Sequence, residues 1–205
     1  MSVTVDVAAE SKKLTTKEAV QELLGLAGGT DDVLIDNLID RVSASIVTYC
    51  GRGFAQQTYT ETLTSLVDYN LVVENTPLVS VSLITLDGDT VPAADYTLQD
   101  PKPGFIFNRN FWSWTGAEQL YSVTYIAGYV LPSFTSGTKN LPKDVEMAAL
   151  ESIKSAYLGR ATDPTSRSEM VPEVYSVSRS VGNANSIGIT ESSKLILDAY
   201  KRYTI

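Results

Sequence analysis

The sequence predicts an α+β fold: a small α-helical bundle with an inserted antiparallel β region, then a C-terminal helix after a long polar link. Three observations predict it. Apolar residues recur at steps of three and four over residues 14–50 and again over 141–160. Between them, over 54–130, the period falls to two, and β-branched and aromatic residues dominate between Gly, Pro, Asn and Asp breaks. Residues 161–189 are rich in Ser, Asn, Gly and Pro, the composition of a flexible link, before 190–205 return to a helical pattern. The whole chain is read as one domain, with a helical body, a β insertion, a link and a terminal helix.

Taken in order, MSVTVDVAAESKK reads as a flexible or extended arm. Thr15 and Glu18 form a capping-box pattern ahead of Val20, Leu23 and Leu24, and this first helix is expected to run out at Ala27-Gly28-Gly29. Thr30 is expected to cap the second helix, whose acidic first turn suits the positive end of the helix dipole. Its stripe of Ile35, Leu38, Ile39, Val42, Ile46 and Tyr49 ends before Gly51 and needs a partner. In the β region, Asp87-Gly88 reads as a tight hairpin turn and QDPKPGF as a second reversal. Pro142 is placed in the first turn of a third helix with Val145, Ala149, Ile153 and Ala156 along one side. In the link only VYSVS offers a strand. Thr190 is expected to cap the last helix, with Ile196, Ala199, Tyr200 and Tyr203 on one side and Lys194, Lys201 and Arg202 available to solvent or a partner.

Composition narrows the function. A chain of 205 residues buries enough surface to fold without staples, and its single Cys50 rules out an internal disulfide. The absence of histidine removes Ser–His and Cys–His catalysis and the commonest transition-metal ligand. A net charge of −8 argues against a surface that grips nucleic acid. The start lacks the order of a signal peptide, and no apolar run is long enough to span a membrane. Asp31 with Asp32, Asp87 with Asp89, and Asp95 with Asp100 each already serve a helix start, a turn or a strand end. No phosphate-cradling or dinucleotide glycine pattern and no metal-ligand spacing occurs, so no catalytic, cofactor-binding or metal residue is assigned. One local feature stands out: NRNFWSWTGAE places Phe111, Trp112 and Trp114 together. Exposed, they are interface anchors; buried, they close the open end of the β region, and the sequence leaves both readings open.

Three motifs carry a family resemblance. LTTKEAVQELLGLAGGTDDVLIDNLIDRVSASIVTYCGRGF is similar to the opening helix pair of the tailed-bacteriophage head-tail connector (adaptor) proteins. YSVTYIAGYVLP followed by LPKDVEMAALE resembles their strand, Ala-Gly-Tyr corner and proline-started helix. SKLILDAYKRYTI is similar to their closing helix, with Lys201-Arg202-Tyr203 in place of the commoner Arg pair. The loop VLPSFTSGTKN is longer than the compact family form.

The resemblance implies a non-enzymatic virion protein of the neck, assembled in the host bacterial cytoplasm. It implies a homo-oligomeric ring of about a dozen copies closed by one repeated contact. The portal protein would bind on one side and a head-closure, stopper or tail-completion protein on the other. DNA would pass through an acidic channel without sequence-specific binding, and no membrane or cofactor takes part. Gly128 and Tyr129 would turn the chain out of the β region and back to the helical body. Ile196, Leu197, Tyr200, Lys201, Arg202 and Tyr203 are the portal-docking candidates, against the alternative that this helix completes its own bundle. A neck or tail-completion protein at another position, or a ligand-binding module unrelated to phage, are the competing functions.

Overall fold

The computed structural model describes residues 2–29, 31–64, 70–100, 102, 104–108, 120–160, 168–171, 175–178 and 188–202. The fold is mixed α+β. In chain order its elements are β1 (Ser2–Val7), α1 (Lys17–Leu24), α2 (Asp32–Cys50), β2 (Gln57–Thr64), β3 (Asn70–Val72), β4 (Leu78–Leu86), β5 (Asp89–Thr90), β6 (Tyr96–Asp100), β7 (Phe105–Asn108), β8 (Leu120–Ala127), α3 (Lys143–Gly159), β9 (Ser168–Val171), β10 (Tyr175–Ser178) and α4 (Glu191–Leu197). They form two compact units: Met1–Ser11 with Gly53–Asn140, and Lys12–Arg52 with Leu141–Ile205.

The first unit is built on β sheets. Five strands run in the order β1-β2-β8-β4-β5 and three in the order β3-β7-β6. One core joins them, with Tyr59, Leu63, Ile84, Tyr121, Val123 and Tyr125 of the larger sheet clustered with Leu71 and Ile106 of the smaller. Side chains alternate across a strand, so the same register fixes what stands on the opposite face. There, Ser2, Thr62, Ser122, Thr85 and Thr90 form one row crossing all five strands. Thr4, Thr60, Thr124 and Leu83 form the next row.

The N-terminal arm is thus a strand, because its Val-Thr-Val-Asp-Val alternation is satisfied by β2, about fifty residues on (Thr4 opposite Thr60). Glu10 ends the arm by accepting hydrogen bonds from the Thr135 amide (3.2 Å) and hydroxyl (2.6 Å), which hold its carboxyl below the usual range. The β4–β5 turn is the two-residue hairpin expected at Asp87-Gly88, with φ of 50° and 97°. The long loop after β8 closes on itself, the Val130 amide donating to Asn140 Oδ1 (2.7 Å) and the Asn140 amide to the Val130 carbonyl (3.2 Å).

The second unit is helical, α3 packing against each of α1, α2 and α4. Thr16, not Thr15, caps α1 by accepting from the Ala19 amide (3.3 Å), while Thr15 is buried. The helix stops at Gly25, earlier than expected, because Gly25 adopts φ 65° and lets the Leu26 amide bond back to the Gln21 carbonyl (3.0 Å). Thr30 lies outside the described residues. Asp31 occupies the N-cap position of α2 at φ 54° without capping it, because its carboxylate accepts instead from Tyr157 (2.8 Å) and Arg160 (3.1 Å). Ile35, Leu38, Ile39, Val42 and Ile46 are buried as read, whereas Tyr49 is half-buried. Pro142 sits one residue before the first helical turn, its carbonyl accepting from Val145 (3.1 Å) and Glu146 (3.3 Å). Val145, Ala149 and Ile153 are buried, joined by Ala148, Ser152 and Tyr157. In the link, β9 pairs antiparallel with β10, a partner for VYSVS that the sequence reading lacks. Among the described residues no helix is long and apolar enough to cross a membrane.

Candidate functional site

The C-terminal segment carries half of the residues singled out by the sequence. Thr190 caps α4 as expected, its hydroxyl accepting from the Ser193 amide (3.2 Å). Ser193 is fully buried and donates to the Ala148 carbonyl (2.9 Å), where the Ser152 hydroxyl also bonds (2.8 Å). Two serines on facing helices let α4 and α3 approach closely. One turn on, Leu197 is fully buried. The apolar side of α4 is therefore the Ser193–Leu197 side; on the expected side Ile196 is half-buried and Ala199 lies exposed in the 3-10 turn at Asp198–Tyr200.

Beyond α4 the chain is tied to α2 and α3 of its own unit. The Arg202 amide donates to the Cys50 carbonyl at the end of α2 (2.8 Å). Tyr49 donates to Asp198 (2.7 Å), and Lys201 pairs with the same carboxylate (2.8 Å) while lying 4.0 Å from the Tyr49 ring centre. Hydrogen bonds from Lys201 first and Tyr49 second hold the Asp198 carboxyl below its ordinary value, and the Asp198 partner raises Lys201. The Tyr200 hydroxyl bonds both oxygens of Asp144 (2.7 and 2.9 Å). Leu197, Tyr200, Lys201 and Arg202 are thus brought together, Ile196 is half-buried, and Tyr203 lies outside the described residues. Leu195, 77% exposed, is the apolar residue that α4 offers to solvent. Sequence reasoning missed it because Leu-Ile-Leu fills three consecutive positions and leaves the buried face ambiguous.

Gly128 forms a corner with φ 106°, its amide donating to the Pro77 carbonyl (2.9 Å). Tyr129 then exchanges backbone bonds with the strand start opposite, donating to Phe54 (2.7 Å) and accepting from Gln56 (2.8 Å). A side chain at 128 would meet Ala55 O at 2.5 Å, so the close approach requires glycine. Phe111, Trp112 and Trp114 lie outside the described residues.

One buried acid was not foreseen. Glu61 is wholly buried, its Oε2 accepting from the Tyr125 hydroxyl (2.7 Å) and the Glu74 amide (2.8 Å). Burial first, and the Glu61 bond second, raise the Tyr125 pKa well above the ordinary phenol value. These bonds tie the segment after β3 to the sheet. The signal was present in TYTETL, where period two places Glu61 with inward-facing Tyr59 and Leu63. Burial also pushes the Cys50 thiol up to about 11, which suits a packing residue and not a nucleophile. Among the described residues no group of three His, Cys, Asp or Glu side chains gathers to hold a metal ion.

Residues 13–155 match the profile of the head completion proteins, a span running from just before α1 through the β sheets to most of α3. The chain belongs to the head completion protein family. No curated protein matches the sequence. Among solved structures, this head completion protein is similar to a chain in "Neck of empty GTA particle computed with C6 symmetry", with 14% identity, a TM-score of 0.60, and 100% of this chain and 97% of that one covered. It is also similar to a chain in "Virion of native gene transfer agent (GTA) particle", with 16% identity, a TM-score of 0.58, and 100% and 97% covered. At these identities the likenesses show a shared fold.

Proposed function

We propose that this head completion protein is a structural component of a phage-like neck, forming a ring that joins the portal to the head-closure or tail components while DNA passes through its centre. The observation that carries the reading is the family match across residues 13–155, which includes helices of one unit and the β sheets of the other. Full-length similarity to a chain from a neck particle supports it, and the C6 symmetry of that particle accommodates a ring whose copy number is a multiple of six. Heterologous contacts repeated about an axis generate a closed ring when the rotation closes, and the reading takes about a dozen copies. A net charge of −8 favours a channel that repels phosphate and lets DNA slide. At the portal, α4 would be held by Leu197 and present Leu195, with Ile196 and Arg202 beside it. The role is structural and not catalytic.

The test is native mass over a wide concentration range with negative-stain imaging, alone and with a phage portal protein. Closed rings, alone or on the portal, are expected. A monomer throughout that also fails to bind portal would overturn the reading.

A further inference from the structure

The outward face of the five-stranded sheet has an unusual chemistry for a chain with 24 acidic and 16 basic residues. Its first row is entirely hydroxyl-bearing, one Ser or Thr from each strand. In the second row Thr60 and Thr124 share a hydrogen bond at 2.8 Å across β2 and β8. No described side chain at a paired position on this face is Lys, Arg or Glu. Among the described residues an acidic side chain stands there at Asp6, at the β1 irregularity, where its carboxyl oxygen accepts from the Thr60 hydroxyl (2.5 Å). Exposed aliphatic side chains accompany the hydroxyls: Val7 is 62%, Leu120 51% and Leu83 42% exposed.

We infer that this hydroxyl face is a contact surface for a second copy of the chain, an inference that rests on the ring reading above. Charge selects the occupant. Two copies each carrying −8 repel, and like charges facing one another across an interface are costly, so a face that presents little charge is one on which a second copy can settle without that cost. Thr60 and Thr124, already bonded to each other, and Thr4, bonded to the Thr60 carbonyl, need little new pairing when water leaves, and threonine methyls with Val7, Leu83 and Leu120 supply apolar area. A face without Lys or Arg lacks the cations that would hold DNA phosphates. The four longer strands β1, β2, β8 and β4, each ~4.8 Å wide, over five residues of ~3.3 Å give about 19 by 17 Å. That is roughly 40% of the ~800 Å² per partner of a standard interface, the size of an interface centre inside a wider rim.

The test places a charge on the first row, with Thr62→Lys and Thr85→Lys made separately in the full chain. Each is on the solvent side of a strand, and far-UV circular dichroism with urea unfolding confirms that at least one keeps the fold. Lysine lowers the net negative charge, so general repulsion between copies weakens. The expected result is loss of oligomer in native mass measurements despite that relief, with the midpoint of assembly moved at least tenfold higher in concentration. Folded variants that assemble like the wild type would overturn this inference, leave the ring reading standing and assign the face to another partner. A wild type that stays monomeric alone and with portal would remove the ring reading and the second copy together.

Discussion

The Tyr125 hydroxyl donates to the Glu61 carboxylate at 2.7 Å, inside the β core and from the neighbouring strand. The same carboxylate oxygen receives the Glu74 amide, and Asn75 donates to the tyrosine oxygen through its amide (3.2 Å) and side chain (3.3 Å). A buried carboxylate and a phenol thus fasten the segment after β3. Removing one partner should be worse than removing both.

Tyr125→Phe should lower the stability of the first unit by about 1–3 kcal/mol, because it strips a donor from a buried acid. Glu61→Gln in the Tyr125→Phe background should cost less than in the wild type. Urea unfolding of the four proteins gives the coupling, and additive effects would show that the pair does not act together.

The same tyrosine predicts an alkaline response. Its folded pKa is raised above the ordinary 10.0, so the unfolded chain loses that proton first. The contribution of Tyr125 is whole below pH 10 and falls as pH rises above it, by up to about 1.4 kcal/mol per pH unit. Stability measured from pH 9 upward should decline more steeply in the wild type than in Tyr125→Phe.

Glycines at two corners should respond differently to alanine. Gly51 has φ 64° but its added Cβ meets nothing closer than 3.9 Å, so Gly51→Ala should cost only the backbone strain of about 1–2 kcal/mol. Gly128 has φ 106° and backbone atoms at 2.5, 2.8 and 2.9 Å from the Cβ position. Gly128→Ala should therefore cost more than about 3 kcal/mol or prevent folding, read from soluble yield and denaturant midpoint.

At the C-terminus, stability and binding should separate. Leu197→Ala should destabilise the helical unit by about 2–5 kcal/mol, since Leu197 is wholly buried. Leu195→Glu should change stability by less than about 0.5 kcal/mol and weaken portal capture. A Leu195→Glu protein that binds portal at full strength would show that α4 does not dock through this residue.

Cys50 offers a reporter for the same unit. Its thiol is buried and pushed up to about 11, so a disulfide reagent at pH 8 should label the native protein slowly and the urea-unfolded protein at the rate of a free thiol. Leu197→Ala should speed native labelling, because losing the buried Leu197 side chain loosens the end of α4, whose Leu197 carbonyl faces the Cys50 thiol at 3.8 Å.

How much of this was legible in the sequence depended on how local the determining interaction is. Helical periods located α2 and α3, and Asp87-Gly88 located a hairpin, because each is decided within a few residues. The α1 cap was read one residue early since adjacent threonines, Thr15 and Thr16, compete for it and tertiary burial of Thr15 decides. The arm was not read as a strand because its partner, β2, lies across the whole α1–α2 segment. Glu61 was visible as an acid on an inward position, but its partners Tyr125 and Glu74 are set by strand order, which local pattern does not specify. In the C-terminal segment the residue types were found and their facing was not, because consecutive Leu195, Ile196 and Leu197 offer more than one apolar face and packing against α3 decides between them.

The chain passes between its two units three times, after Ser11, after Arg52 and after Asn140. Each unit is therefore assembled from separated stretches of message. On the ribosome, α1 and α2 emerge with residues 51–142 still to be made before α3 arrives to cover them. Their apolar stripe must wait through the synthesis of most of the β unit before the helix that covers it exists. Neither unit corresponds to a single cut in the gene, so a fragment ending anywhere before α3 leaves the helical half without its central helix.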